Sequence, residues 1–135
     1  MKKALLLALT FLALTSFTRP SFNLVGNWEG SFGGEAYRME FDAEGYAILQ
    51  RGKKVMGGKE FKMGAEKGAI TYKANYDIQP NTVTFTLHRL LTKDTSPMYT
   101  VAFKPVNDNE IITIVAEEGH APDFTSKGAV VYKRK

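Results

Sequence analysis

Leu24-Val25-Gly26-Asn27-Trp28-Glu29-Gly30-Ser31-Phe32 is the stretch on which the reading of the whole chain turns. It holds the only Trp, with a Gly two residues away on each side. Alternate side chains of an extended strand share a face, so Gly26, Trp28 and Gly30 point the same way. Glycine weakens a strand unless something bulky needs the room. The neighbouring indole is the obvious bulky group. The stretch is therefore predicted to be a first β-strand that buries Trp28, either as an ordinary core residue or as a plug at the closed end of a small barrel.

The rest of the chain supports a β-protein. No segment after residue 18 sustains apolar residues at helical spacing, whereas two-residue alternation recurs throughout. Tyr37, Met39 and Phe41 fall on one face, with Arg38, Glu40 and Asp42 on the other. Asp42-Ala43-Glu44-Gly45 reads as a four-residue hairpin loop. Pairing Phe41 with Tyr46 across it sets Met39 beside Ile48. Phe61 and Met63 share a face in a short strand. Ile70, Tyr72, Ala74 and Tyr76 share the next, and Val83, Phe85 and Leu87 the one after. Tyr99, Val101 and Phe103 follow in a strand over 98–104, then an Ile- and Val-rich strand over 110–116. The longest loop, 117–127, precedes a last strand in which Val130, Tyr132 and Arg134 alternate.

Strands at this short, regular spacing predict an all-β fold, a single antiparallel up-and-down barrel of about eight strands. Closure buries one face of every strand and removes exposed edges.

Gly26-Asn27-Trp28 resembles the Gly-x-Trp motif of lipocalins and the wider calycin group. In that family a basic residue near the end of the last strand stacks on the Trp. The resemblance makes Arg134 the candidate partner of Trp28, with Lys133 second. Met39-Glu40-Phe41-Asp42-Ala43-Glu44-Gly45 and Ala121-Pro122-Asp123-Phe124 resemble the second-strand hairpin and a late turn of bacterial secreted lipocalin-like domains. What the resemblance implies is a barrel that holds a small ligand or is filled by its own side chains.

The chain has 135 residues, enough for one domain. Met1-Lys2-Lys3 followed by an apolar run over 4–14 has the pattern of a secretory signal peptide, too short for a membrane span. The expected division is a leader over 1–18 and a barrel over 19–135, exported to the periplasm or the medium. With no Cys there is neither a lipid-anchoring Cys nor a disulfide. The formal charge of +4 falls to +2 once Lys2 and Lys3 leave with the leader. That is too mild a charge to argue for nucleic acid. No transmembrane segment is expected in the mature chain.

Catalytic chemistry has little to work with. A Ser or Thr nucleophile would need His88 or His120 as its base, and no G-x-S-x-G is present. Glu117-Glu118-Gly119-His120-Ala121-Pro122-Asp123 is the one dense polar cluster, but adjacent Glu residues on a strand end point apart, and a metal needs convergent ligands. No catalytic residue, metal or cofactor is assigned, and the chain is not expected to be an enzyme. Arg51, Lys53, Lys54, Lys59 and Lys62 form a basic stretch suited either to solubility or to an anionic contact.

The aromatic inventory says more. Tyr37, Phe41, Tyr46, Phe61, Tyr72, Tyr76, Phe85, Tyr99 and Phe103 all fall on faces read as inward. A packed core favours Leu, Ile and Val, whereas Tyr and Met suit an apolar pocket with polar handles. The candidate ligand-binding residues are Tyr37, Met39, Phe41, Ile48, Phe61, Tyr72, Tyr76, Phe85, Tyr99 and Phe103, with Trp28 and Arg134 as the structural plug. The expected partner is a small, mainly apolar molecule. The alternative is an envelope protein-binding module with a filled barrel, acting through residues 52–58 or 117–127 on a protein partner.

Overall fold

The computed structural model describes residues 22–135, and the leader expected over 1–18 lies outside them. Ten strands follow in order: β1 (Gly26–Phe32), β2 (Glu35–Phe41), β3 (Ala47–Arg51), β4 (Lys54–Gly57), β5 (Phe61–Met63), β6 (Glu66–Asn75), β7 (Asn81–Arg89), β8 (Thr95–Asn107), β9 (Glu110–Val115) and β10 (Val130–Arg134). Among the described residues there is no helix.

The strands form one antiparallel sheet in the order β4-β3-β2-β1-β10-β9-β8-β7-β6-β5. The last strand thus returns to the first, with Trp28 opposite Arg134. The two ends of the sheet curl together to close it nearly into a barrel. The Gly58 amide donates to the Ala47 carbonyl (2.7 Å), the Ile70 amide to the Gly58 carbonyl (3.1 Å) and the Tyr72 amide to the Gly45 carbonyl (2.9 Å). Backbone groups that an open edge would leave for other chains are used up here.

One feature adds a strand to those the alternation predicts, and the total is ten. Gly52, at φ 60°, permits a tight turn after Arg51, so residues 51–57 make a hairpin whose second arm is β4, a strand the alternation does not predict. β8 also starts earlier than expected, at Thr95, and takes in Pro97. Proline has no N–H for the ladder. The β7–β8 register shifts between Phe85 and Thr86, and Met98 is the residue left without a cross-strand partner.

The β2–β3 hairpin corrects a further expectation. The Asp42 amide donates to the Tyr46 carbonyl (3.0 Å), and the Asp42 carboxylate accepts from the Glu44 and Tyr46 amides. The loop is therefore three residues, with Gly45 at φ 97° supplying the left-handed position. One residue fewer in the loop moves the register by one and flips every side chain of the return strand. Phe41 pairs with Ala47 and Met39 with Leu49. Ala47 and Leu49 are buried. Tyr46 and Ile48, both expected inside, face outward, and Ile48 lies over Gly58.

The inward positions of the other strands make one core. It includes Trp28, Met39, Phe41, Ile70, Val83, Phe85, Val101, Phe103, Ile111 and Tyr132. The glycines flanking Trp28 serve neighbours other than the indole. A methyl group on Gly26 would lie 2.7 Å from Nη1 of Arg134, and one on Gly30 would strike the Val131 carbonyl and approach Cδ1 of Tyr132 at 3.2 Å. They let β10 come close enough to pair with β1.

Candidate functional site

The antiparallel register gives the barrel two unlike ends. At one end lie the segment Phe22–Leu24 that leads into β1, the β2–β3, β6–β7 and β8–β9 turns, and the C-terminus. At the other lie the β1–β2, β3–β4, β5–β6 and β7–β8 turns and the long β9–β10 connection.

The first end is shut. Trp28 is fully buried, and its indole N–H donates to the Leu24 carbonyl at 2.8 Å. Phe22 packs on Trp28 and Phe103, with ring centroids 5.9 and 6.0 Å apart. Arg134 places its guanidinium carbon 4.3 Å from the Trp28 ring centroid. Tyr76 stands edge-on to Phe103, and its hydroxyl accepts from the Leu24 amide at 3.3 Å. Above this plug Phe41 stacks on Phe85 at 6.0 Å and meets Tyr72 edge-on at 4.8 Å. This half of the barrel is solid.

The other half is hollow. A cavity of about 480 Å³ opens at the far end. Its apolar wall includes Met39, Leu49, Met56, Met98, Val101 and Val130, with Phe32 at the mouth. Three phenols, Tyr37, Tyr99 and Tyr132, share it with Thr113, and Arg51 and Lys54 stand at the rim. Thr113 donates its hydroxyl to the Val130 carbonyl at 3.1 Å. Arg51 is held by Glu35 at 2.7 Å and lies 5.8 Å from the Tyr37 ring centroid.

Tyr132 and Tyr99 hold their protons more tightly than free phenols do. Burial pushes the Tyr132 hydroxyl well above its ordinary value, with Tyr99 and Tyr37 adding to the shift. Burial raises Tyr99 as well. A charged phenolate in that setting would lose its hydration. The cavity thus offers apolar surface with hydrogen-bonding hydroxyls, and positive charge from Arg38, Arg51 and Lys54 among its lining residues.

Of the ten residues expected to line a ligand site, Tyr37, Met39 and Tyr99 line the cavity. Phe41, Phe85 and Phe103 fill the solid half. Phe61 packs from the edge of the core. Tyr72 donates its hydroxyl to the Asp42 carbonyl at 2.7 Å, so it and Tyr76 are engaged by backbone away from the cavity. Ile48 is outside the barrel. The sequence reading missed Leu49, Met56 and Tyr132. Correct loop geometry at Gly45 would have found Leu49, and the alternation of Val130, Tyr132 and Arg134 already placed Tyr132 inward. Met56 sits on β4, which the alternation does not predict.

The acidic cluster at 117–123 stays dispersed. Nδ1 of His120 lies 3.3 Å from its neighbour's carbonyl at Glu118, and Asp123 holds Thr125. Among the described residues no three His, Asp or Glu side chains gather as metal ligands. His88 contacts the Thr71 hydroxyl at 2.7 Å on the outer face. No helix among the described residues is long and apolar enough to cross a membrane.

No protein family, curated protein or solved structure matches the chain significantly.

Proposed function

We propose that this is an exported, lipocalin-like barrel that binds a small, mainly apolar molecule non-covalently in its open half. The single observation that carries the reading is the cavity of about 480 Å³, walled by Met, Leu and Val and studded with three phenols. That volume lies in the range of small-molecule sites, roughly 300–1,000 Å³. Methionine side chains adapt to varied apolar shapes. Burial of apolar surface, about 25 cal/mol per Å², supplies the affinity. Tyr37, Tyr99 and Tyr132 orient a polar group of the ligand by hydrogen bonds.

Export is supported by the leader pattern over 1–18, and the lipocalin-like assignment by Gly26-Asn27-Trp28 with Arg134 stacked on the indole. Titration with a lipophilic fluorescent probe tests the binding. One probe per chain is expected, weakened at least about tenfold by Val101→Phe, which fills the cavity without touching the plug. Probe affinity unchanged by Val101→Phe, or no binding by the folded protein, would refute the reading.

A further inference from the structure

The open end of the barrel carries a second feature that the cavity does not use. The β7–β8 turn opens with Leu90 and Leu91, which are 42% and 82% exposed. Leu91 is the most exposed large apolar side chain among the described residues. The turn is braced, since the Leu90 amide donates to the Lys67 carbonyl at 3.0 Å and the Arg89 amide to the Asp94 carbonyl at 2.9 Å. The turn thus holds two adjacent leucines at a fixed place on the rim.

The charge around it is one-sided. β4 and β5 are the sheet edges that curl together, so the β3–β4, β5–β6 and β7–β8 turns are consecutive around the rim. They carry exposed Lys53, Lys54, Lys62, Arg89 and Lys93, none in an ion pair among the described residues. Arg51 and Lys67 are neutralised by Glu35 and Glu60. The acids of this half-rim are Glu66 and Asp94. Glu117, Glu118 and Asp123 lie on the β9–β10 connection, next to the β7–β8 turn around the rim. The rim is thus basic over three consecutive turns, with Leu91 on the one that borders the acidic connection.

We propose that this basic half-rim docks on an anionic lipid surface, with Leu91 entering the headgroup layer. Cations on three adjacent turns suit a broad, planar anionic partner, and a protruding leucine gains by leaving water among acyl chains. Each cation near such a surface contributes roughly a fivefold gain in partitioning, lost within a Debye length. This placement stands independently of what occupies the cavity.

Co-sedimentation of the purified chain with vesicles tests it. Vesicles of phosphatidylglycerol and phosphatidylcholine should bind the protein, and pure phosphatidylcholine should not. Raising salt from about 0.05 to about 0.5 M should release it. Leu91→Glu and the pair Lys53→Glu/Lys62→Glu should each weaken binding at least about tenfold, and Glu117→Lys/Glu118→Lys should not weaken it. All these positions are exposed, and Trp28 emission verifies that each variant is folded. Equal binding to neutral and anionic vesicles, or to neither, would overturn the proposal. So would full retention by Leu91→Glu together with complete competition by soluble polyglutamate, which would mark the rim as a site for an acidic protein.

Discussion

The Arg134 guanidinium lies over the Trp28 ring at 4.3 Å while its three nitrogens donate to the carbonyls of Asp108, Val25 and Asn23. One side chain thereby ties the last strand to the first, to the β8–β9 turn and to the segment leading into β1. Arg134→Ala removes the stack and leaves those carbonyls without their charged donor. Unfolding in urea, followed through the single Trp, should show a loss of about 2–4 kcal/mol. Arg134→Lys keeps the charge but not the planar fork, and should recover less than half. A full recovery by lysine would mean that charge alone holds this end.

Gly30→Ala tests the close approach of β10 to β1. Its methyl group meets the Val131 carbonyl, which is backbone and yields little. The expected cost is about 1–3 kcal/mol. The same change at Gly33, where nothing lies within 4 Å of the added carbon, meets no clash and loses only what its φ of 58° imposes. The first should therefore lower the urea midpoint more than the second.

Truncations should separate the solid half from the hollow half. Phe85 is fully buried between Phe41 and Tyr99, and Phe85→Ala should cost about 3–5 kcal/mol. Met98 borders the cavity and is only half-buried, so Met98→Ala should cost less than about 1.5 kcal/mol. Urea midpoints of the two variants measure the difference, and equal costs would mean that the cavity is packed in solution.

Alkaline pH should destabilise the barrel through Tyr132. Its hydroxyl is raised in the folded state by burial, Tyr99 and Tyr37, while in the unfolded chain it titrates near about 10. The unfolded state then loses a proton that the folded state keeps. Stability is whole below about pH 10 and falls as pH rises through and above that value. Tyr132→Phe should flatten this fall, measured as urea midpoints across the alkaline range.

The candidate site was legible only in part. Alternation placed Tyr37, Met39 and Tyr99 inward, and all three reach the cavity. The same alternation equally placed Phe41, Phe85 and Phe103 inward, where they fill space. Period two reports a face and says nothing of height along the barrel, and height separates a wall residue from a filling one. Ile48 was misplaced because one residue of loop length at Gly45 reverses a whole strand.

What the sequence by itself determined is the β class, the inward faces of most strands, and the matching of Trp28 with the C-terminal basic run. The first two follow from local chemistry, side-chain alternation and glycine at turns; the third is what the resemblance of Gly26-Asn27-Trp28 to the lipocalin motif implies. Tertiary structure alone decided where the sheet closes, that Tyr132 joins Tyr37 and Tyr99, and that the basic turns and Leu91 share a rim. These are distances between residues far apart in the chain, set by register and curvature, and no short window of sequence encodes them.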